Sequence, residues 1–304
     1  MGGGGYAVKK QGDATVVLVG PPSVGKSTLL NKLTNAKSKI APYAFTTLTV
    51  VPGMMKYKDA DIQILDVPGI ISEAEKGRGR GREVLSVARG ADLIVLITDV
   101  DNSDILEGIR KSLYDNGIRL DQKPPEVVVE KKLRGNVAVH TNILQDLTME
   151  TIIDVAKEFG YKNAEITIRE KLTMDTLIDA FASNRAYLPS VSVINKVDKS
   201  KKKFREVLMI SAEKGSGIQI LKEKIWDSLK FVRVYLVRKE EQPSMDNPIV
   251  MRKDQKLIDV ANEIGTEFAE GKKKAKVWGT GAKFPGQIVS LSKEIKEGMQ
   301  VRFV

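Results

Sequence analysis

The chain has 304 residues, with 49 Lys and Arg against 39 Asp and Glu, a formal charge of +10, one histidine and no cysteine. Without cysteine there is no disulfide framework, thiolate zinc site, iron–sulfur cluster or cysteine nucleophile. The single histidine, His140, leaves no histidine-based metal centre and no Ser-His-Asp triad, so any chemistry runs on carboxylates, hydroxyls, lysines, backbone amides and hard, oxygen-bound cations.

The length fits two domains or three small ones. No apolar run reaches the about 18 residues of a membrane span, and no signal peptide opens the chain, so a cytoplasmic protein is expected. Residues 1–13, with four glycines after the Met, read as a flexible lead-in. Ala14–Val19 (ATVVLV) is a buried strand, Gly20–Ser27 a glycine-punctuated loop and Thr28–Thr34 a helix. Strands at Ile62–Asp66 and Leu93–Asp99 alternate with helices near Arg82–Arg89 and Ile105–Asp115. This order predicts a mostly parallel sheet with helices on both faces.

The rhythm changes after Gly117. Glu126–Lys131 and Asn136–His140 read as a paired hairpin, followed by a helix at Met149–Phe159, a strand at Ala164–Ile168 and a helix at Met174–Ala182. Strand–helix alternation resumes with Val191–Ile194, Val207–Ile210 and a helix over Ile218–Phe231, in which Trp226 is expected in the core. A polar linker, Arg238–Pro248, leads to a small mixed unit: a strand at Ile249–Met251, a helix over Lys256–Phe268, and strands at Ala275–Trp278 and Met299–Val304.

Gly20-Pro21-Pro22-Ser23-Val24-Gly25-Lys26-Ser27 fits G-x-x-x-x-G-K-[ST] between a strand and a helix. Its glycines let the backbone wrap so that N–H groups and the helix N-terminus face phosphates. Lys26 would then neutralise the β- and γ-phosphates, and the Ser27 hydroxyl would ligate Mg²⁺. Asp66-Val67-Pro68-Gly69 ends the next strand, where Asp66 can hold the magnesium through water and the Gly69 N–H can meet the γ-phosphate. Asn195-Lys196-Val197-Asp198 follows a later strand. A carboxylate at Asp198 can accept both the N1–H and the exocyclic amine of guanine, and adenine would leave it unsatisfied. Ser211-Ala212-Glu213 suits the loop whose backbone amide meets the guanine carbonyl oxygen. The four motifs in this order predict a guanine-nucleotide-binding domain, with Ser23, Val24, Gly25 and Thr28 completing the phosphate side.

With these residues in place, the sequence resembles the Obg-like branch of translation-factor-type P-loop GTPases. The nearer likeness is to the developmentally regulated GTP-binding protein (DRG) family. It rests on the P-loop wording, Phe45–Gly53 (FTTLTVVPG), Gly79–Arg89 (GRGREVLSVAR), the insert before Asn195–Asp198 and the tail containing Val277-Trp278-Gly279. The resemblance implies a P-loop GTPase domain over 14–118 and 187–237. Residues 119–186 become an inserted α+β unit similar to domain 2 of ribosomal protein S5, and 238–304 a β-grasp (TGS) domain. It makes Thr47, rather than Thr46, the threonine that closes over Mg²⁺ and the γ-phosphate, and Lys76–Arg82 a glycine-rich second switch. GTP, GDP and Mg²⁺ are the implied cofactors, and the ribosome and a dedicated regulatory protein the implied partners; no membrane or DNA is expected.

Three departures shape the expectation. Family members carry a helical segment before the glycine run, whereas that run opens this sequence. Ser23 stands where several potassium-activated relatives have Asn, so a potassium requirement stays open. Ile70 and Ile71 follow the Gly69 position, where Ras-like enzymes place a water-orienting glutamine. Slow GTP hydrolysis is therefore expected, with Lys26, Thr47 and Gly69 as the catalytic set. Arg78, Arg80 and Arg82 are either an arginine finger in cis or face a solvated or RNA-lined surface, or a partner. With Lys199–Arg205 and Lys272–Lys276 they group the positive charge into short clusters suited to structured RNA. The leading expectation is a GTPase switch in translation. The alternatives are a ribosome-assembly GTPase and a nucleotide-gated scaffold with negligible turnover.

Overall fold

The computed structural model describes residues 11–34, 41–42, 49–67, 80–200, 204 and 207–304. In chain order the elements begin with β1 (Ala14–Val19), α1 (Lys26–Thr34), β2 (Ala41–Pro42), β3 (Thr49–Tyr57), β4 (Ala60–Asp66), α2 (Arg80–Arg89), β5 (Leu93–Asp99) and α3 (Ile105–Asp115). Next come β6 (Ile118–Leu120), β7 (Val127–Lys131), β8 (Val137–Thr141), α4 (Met149–Glu158), β9 (Ala164–Ile168), α5 (Met174–Phe181) and β10 (Ala186–Leu188). The last part holds β11 (Ser190–Asn195), a 3-10 turn (Val197–Lys199), β12 (Leu208–Met209), α6 (Ile218–Ser228), β13 (Phe231–Leu236) and β14 (Pro248–Arg252). It ends with α7 (Leu257–Ile264), α8 (Thr266–Glu270), β15 (Lys274–Gly279), β16 (Gln287–Ser290) and β17 (Met299–Phe303). Two compact units divide the chain, 1–109 with 189–304, and 110–188.

In the first unit one sheet runs β12-β11-β5-β1-β4-β3-β2. Its strands from β12 to β4 are parallel, and β3 returns antiparallel to β4. Every residue of β1 and β5 is buried, as a parallel sheet covered on both faces requires. Leu29, Leu30 and Leu33 of α1 and Leu221, Ile225 and Trp226 of α6 pack into its core, each large apolar side chain contributing about 1.5–3 kcal/mol. The parallel strands end along one edge: Leu18 pairs with Asp66, Val19 with Leu96, and Asn195 with Asp99. In such sheets that carboxyl-terminal edge is where ligands bind.

β3 has no counterpart among the expected strands, and its Pro52 and Gly53 are residue types unfavourable inside a strand. It nevertheless pairs with β4 from Val51 opposite Asp66 to Tyr57 opposite Ala60. Among the described residues only β2 lies beyond it, paired at Thr49 and Val50 and not at Pro52, so there Pro52 removes no ladder bond.

The second sheet of this unit runs β14-β13-β17-β15-β16, over a core that includes Leu257, Val260 and Ala261 of α7 and Ala269 of α8. Three expectations are corrected here. The helix expected to reach Phe231 ends at Ser228, and Phe231 opens β13 after Lys230 turns the chain at φ 55°. The polar stretch Arg238–Pro248 therefore joins two paired strands of one sheet, β13 and β14, and β13 lies on the β-grasp side of the expected 237/238 boundary. The helix expected over 256–268 breaks at Gly265, whose N–H closes α7 on the Ala261 carbonyl at 3.2 Å.

The unit 110–188 extends past the expected insert at both ends. It contains the sheet β7-β9-β8 and the pair β6-β10. The expected hairpin is overturned: β7 pairs antiparallel with β9 and β8 parallel with β9, so the central strand separates them. Ala164, Ile166 and Ile168 of β9 are fully buried, whereas β7 is half-exposed. The central strand is the most buried of the three, and a short connection does not guarantee adjacency. His140 is exposed on β8.

Candidate functional site

The loop from Gly20 to Ser27 leaves β1 and enters α1, which begins at Lys26 rather than Thr28. Two glycines are sterically required. A Cβ on Gly20 would stand 2.0 Å from the Ile97 carbonyl oxygen, and one on Gly25, at φ 96°, 2.4 Å from Asn195 Nδ2. Four carbonyls of the loop are held by side-chain nitrogens. Lys26 Nζ donates to Gly20 O at 3.0 Å and Pro21 O at 2.9 Å, Lys196 Nζ to Ser23 O at 2.7 Å, and Asn195 Nδ2 to Val24 O at 2.8 Å. A trans peptide points its carbonyl and the next N–H in opposite directions. The Val24 and Gly25 N–H groups thus face away from Lys196 and Asn195, forming an edge suited to an anion at the start of a helix.

Lys26 is buried, and burial lowers the pKa of its ammonium, an effect partly offset by the Asp66 carboxylate. Ser27 Oγ, at the start of α1, donates to Asp66 Oδ2, at the end of β4, at 2.6 Å. A hydroxyl and a carboxylate 39 residues apart in sequence thereby form a pair of hard oxygen donors.

Asn195 is buried at the end of β11 and joins two loops, since its Oδ1 accepts the Ala212 N–H at 2.9 Å while its Nδ2 holds Val24. Lys196 adopts the left-handed conformation (φ 61°), and Asp198 follows in the 3-10 turn. The Ser211 hydroxyl hydrogen-bonds to the Asp198 carboxylate and lowers its pKa. Gly25, Thr28, Asn195, Asp198, Ser211 and Ala212 line one small cleft, with exposed Glu213 at its rim. The structure therefore gathers Ser23 to Thr28, Asp66, Asn195, Lys196, Asp198 and Ser211 to Glu213 along one edge of the sheet. Thr47, Gly69, Ile70 and Arg78 lie outside the described residues; Arg80 and Arg82 fall on α2.

Asp99 and Asn102 belong to no expected motif. Asp99 Oδ2 accepts from Lys196 Nζ at 2.7 Å, and Oδ1 from Asn102 Nδ2 at 2.7 Å. Burial pushes the Asp99 pKa up, but these donors outweigh it and hold the carboxyl below its ordinary range. The one available signal was an acidic residue ending an otherwise apolar strand, LIVLITD.

Residues 15–132 match the family described as 50S ribosome-binding GTPases, 134–231 the C-terminal region that extends it, and 232–304 the TGS domain. The molecule is a P-loop GTPase fold with mixed α/β sheets and a C-terminal TGS domain. An uncharacterized GTP-binding protein of Methanocaldococcus jannaschii is 45% identical over 97% of this chain and 78% of its own length. Ribosome-interacting GTPase 1 of Saccharomyces cerevisiae is 39% identical over 96% and 83%, and developmentally-regulated GTP-binding protein 2 of Mus musculus 36% identical over 95% and 82%. The chain belongs to the family of developmentally regulated GTP-binding proteins and is a GTP-binding protein. Among the described residues, no helix is long and apolar enough to cross a membrane.

Proposed function

We propose that the protein binds GTP and GDP with Mg²⁺, hydrolyses GTP slowly, and uses the change as a conformational switch in translation at the ribosome. The observation that carries the nucleotide reading is the Asn195 side chain, which bonds both the phosphate loop at Val24 and the Ala212 amide beside Asp198. Lys26 and the loop amides meet the β- and γ-phosphates, Asp198 accepts the two guanine donors, and the Ser211–Glu213 loop offers a backbone amide to the guanine carbonyl. A bound phosphate supplies the counter-charge that burial denies Lys26.

The Ser27–Asp66 pair fits Mg²⁺, which takes one or two protein oxygens and completes its shell with substrate phosphates and water. When bound, the ion neutralises charge on the phosphate oxygens. Ser27 and Thr47 would hold it directly and Asp66 through water. Thr47 and the Gly69 N–H sense the γ-phosphate, and loss of that phosphate releases both loops. Ile70 and Ile71 have no polar atom to orient water, so turnover by the protein alone is slow. A monovalent cation such as K⁺, or a regulatory protein of the kind this family uses, supplies the missing function.

The ribosomal part of the reading is supported by the name of the yeast relative and by the clustered positive charge. It also implies a cytoplasmic protein. Sedimentation with ribosomes in GTP-analogue and GDP states, at two salt concentrations, tests it. Binding should be stronger in one nucleotide state and weaken with salt; nucleotide-independent, salt-insensitive binding overturns it. The absence of a glutamine after Gly69 also favours a second reading, a nucleotide-gated scaffold. Single-turnover hydrolysis unchanged by ribosomes would select that reading.

A further inference from the structure

Asp99 lies outside every nucleotide motif, and a role for it rests on the guanine-nucleotide reading above. It closes a strand whose seven residues are all buried, and is itself 4% exposed. A carboxylate at that depth is unfavourable unless its oxygens are met, and here both are, by Lys196 and Asn102. Asn102 is held in turn: its N–H donates to the Asp99 carbonyl at 3.1 Å, and its own carbonyl accepts from Thr98 Oγ1 at 2.7 Å. Asp99 is therefore a fixed acceptor, directly opposite Asn195 in the β5–β11 register.

Lys196 uses a second donor on the Ser23 carbonyl at 2.7 Å. Its side chain thus forms a strut from the end of β5 to the phosphate loop, while its left-handed backbone starts the turn that carries Asp198. Ser23 is also left-handed, at φ 63°. Both strained residues are tied to one ammonium, and that ammonium is tied to one buried carboxylate.

We infer that Asp99 is a positioning residue for guanine-nucleotide binding: by anchoring Lys196 it holds the Asp198 turn and the Ser23 carbonyl in the arrangement in which base and phosphates are met together. Without the carboxylate, Lys196, whose side chain is 29% exposed, can swing to water. The Ser23 carbonyl is then released, and the direction of the Val24 amide is no longer set. The groups that face the γ-phosphate, Lys26, Ser27 and Asp66, keep their own contacts.

The test is dissociation of a fluorescent GDP from the full chain with Mg²⁺, for wild type, Asp99→Asn, Lys196→Gln and the double variant, with kcat at saturating GTP and the melting temperature of nucleotide-free protein. Each single variant should release GDP about tenfold faster or more, the size of a lost charge-assisted hydrogen bond. The double variant should fall within about twofold of the worse single, since both remove one strut. For Asp99→Asn, kcat should stay near wild type, and the nucleotide-free melting temperature should fall only by the share that the lost Lys196 pairing contributes, far less than the tenfold rise in GDP release implies; a merely structural role would lower melting temperature, kcat and affinity together.

Wild type that binds GDP no better than ADP defeats the guanine reading itself. Wild type that discriminates, with Asp99→Asn within twofold in GDP release or with fully additive singles, overturns the role of Asp99 alone. Should Asp99→Asn fail to fold, Lys196→Gln decides: GDP release within twofold of wild type overturns the inference.

Discussion

Among the described residues, two buried carboxylates are ion-paired to cations, Asp99 in the seven-stranded sheet and Asp179 in the unit 110–188, and the two are built differently. Asp179 is 7% exposed and receives Arg119 through Nε at 2.5 Å and Nη2 at 2.7 Å, with Arg185 Nε at 2.6 Å. The remaining reach of Arg119 is local: Nη1 donates to the Tyr114 carbonyl at 2.6 Å, and its guanidinium lies 3.6 Å from the Tyr114 ring centre. The cation on Asp99 is a lysine, and its second donor goes to a loop 173 residues away in sequence. Burial and pairing are thus common to both. What separates a lock from a strut is where the cation's other donors end.

Breaking the lock should give the largest effect. Asp179→Ala leaves two arginines without their carboxylate, and about 3–5 kcal/mol of stability should be lost, read from the urea midpoint. GDP release should not change; a variant as stable as wild type, or one with fast GDP release, breaks the comparison. Lys26→Ala should weaken GDP and GTP binding by about 100-fold or more by titration, with a smaller change in the urea midpoint.

Asp198→Asn sharpens the contrast between reading a base and positioning the reader. An amide offers a donor where the carboxylate accepted, so GDP binding should fall by about 100-fold while xanthosine diphosphate binding rises. Asp99→Asn should weaken both nucleotides with no such exchange.

Acid tests both carboxylates at once. For Asp99 and Asp179 alike, burial raises the pKa, but the donors on them (Lys196 and Asn102, Arg119 and Arg185) outweigh it and the folded value lies below the ordinary one. Their stabilisation is complete above the unfolded value of about 4 and is lost as pH falls through the folded value. Asp179→Asn should therefore lose less urea resistance than wild type between about pH 5 and pH 3.

The smallest effect lies at the alkaline end. The hydrogen bond from Tyr57 to the Glu223 carboxylate pushes the phenol up to about 12. Its contribution is full below about pH 10 and is lost as pH rises through 12. In an alkaline absorbance titration, Tyr57→Phe should remove a tyrosine step at about pH 12.

The strand–loop–helix carrying Gly20–Ser27 was legible from the residues because a phosphate cradle needs consecutive backbone amides, and consecutive atoms are written consecutively in the chain. The same holds for Asn195–Asp198, where the turn and the reader are neighbours, and for Trp226, whose helical spacing places it in the core where it is found. β3 was hidden by Pro52-Gly53, whose harmlessness depends on standing near the sheet edge. The β7–β8 hairpin misled because the signal for a turn says nothing about a third strand, and β9, more deeply buried than either, enters between them.

Motif residues, fold class and the likeness to one GTPase family were determined by the sequence alone, since each rests on local pattern. Tertiary structure alone decided that Asp99 meets Lys196 across 97 residues, that Ser27 meets Asp66 across 39, and that one asparagine ties both loops together. Those contacts exist because β1 lies between β4 and β5, and β11 beside β5. Strand order is a property of how the whole sheet buries its faces, and no local stretch of chain carries it.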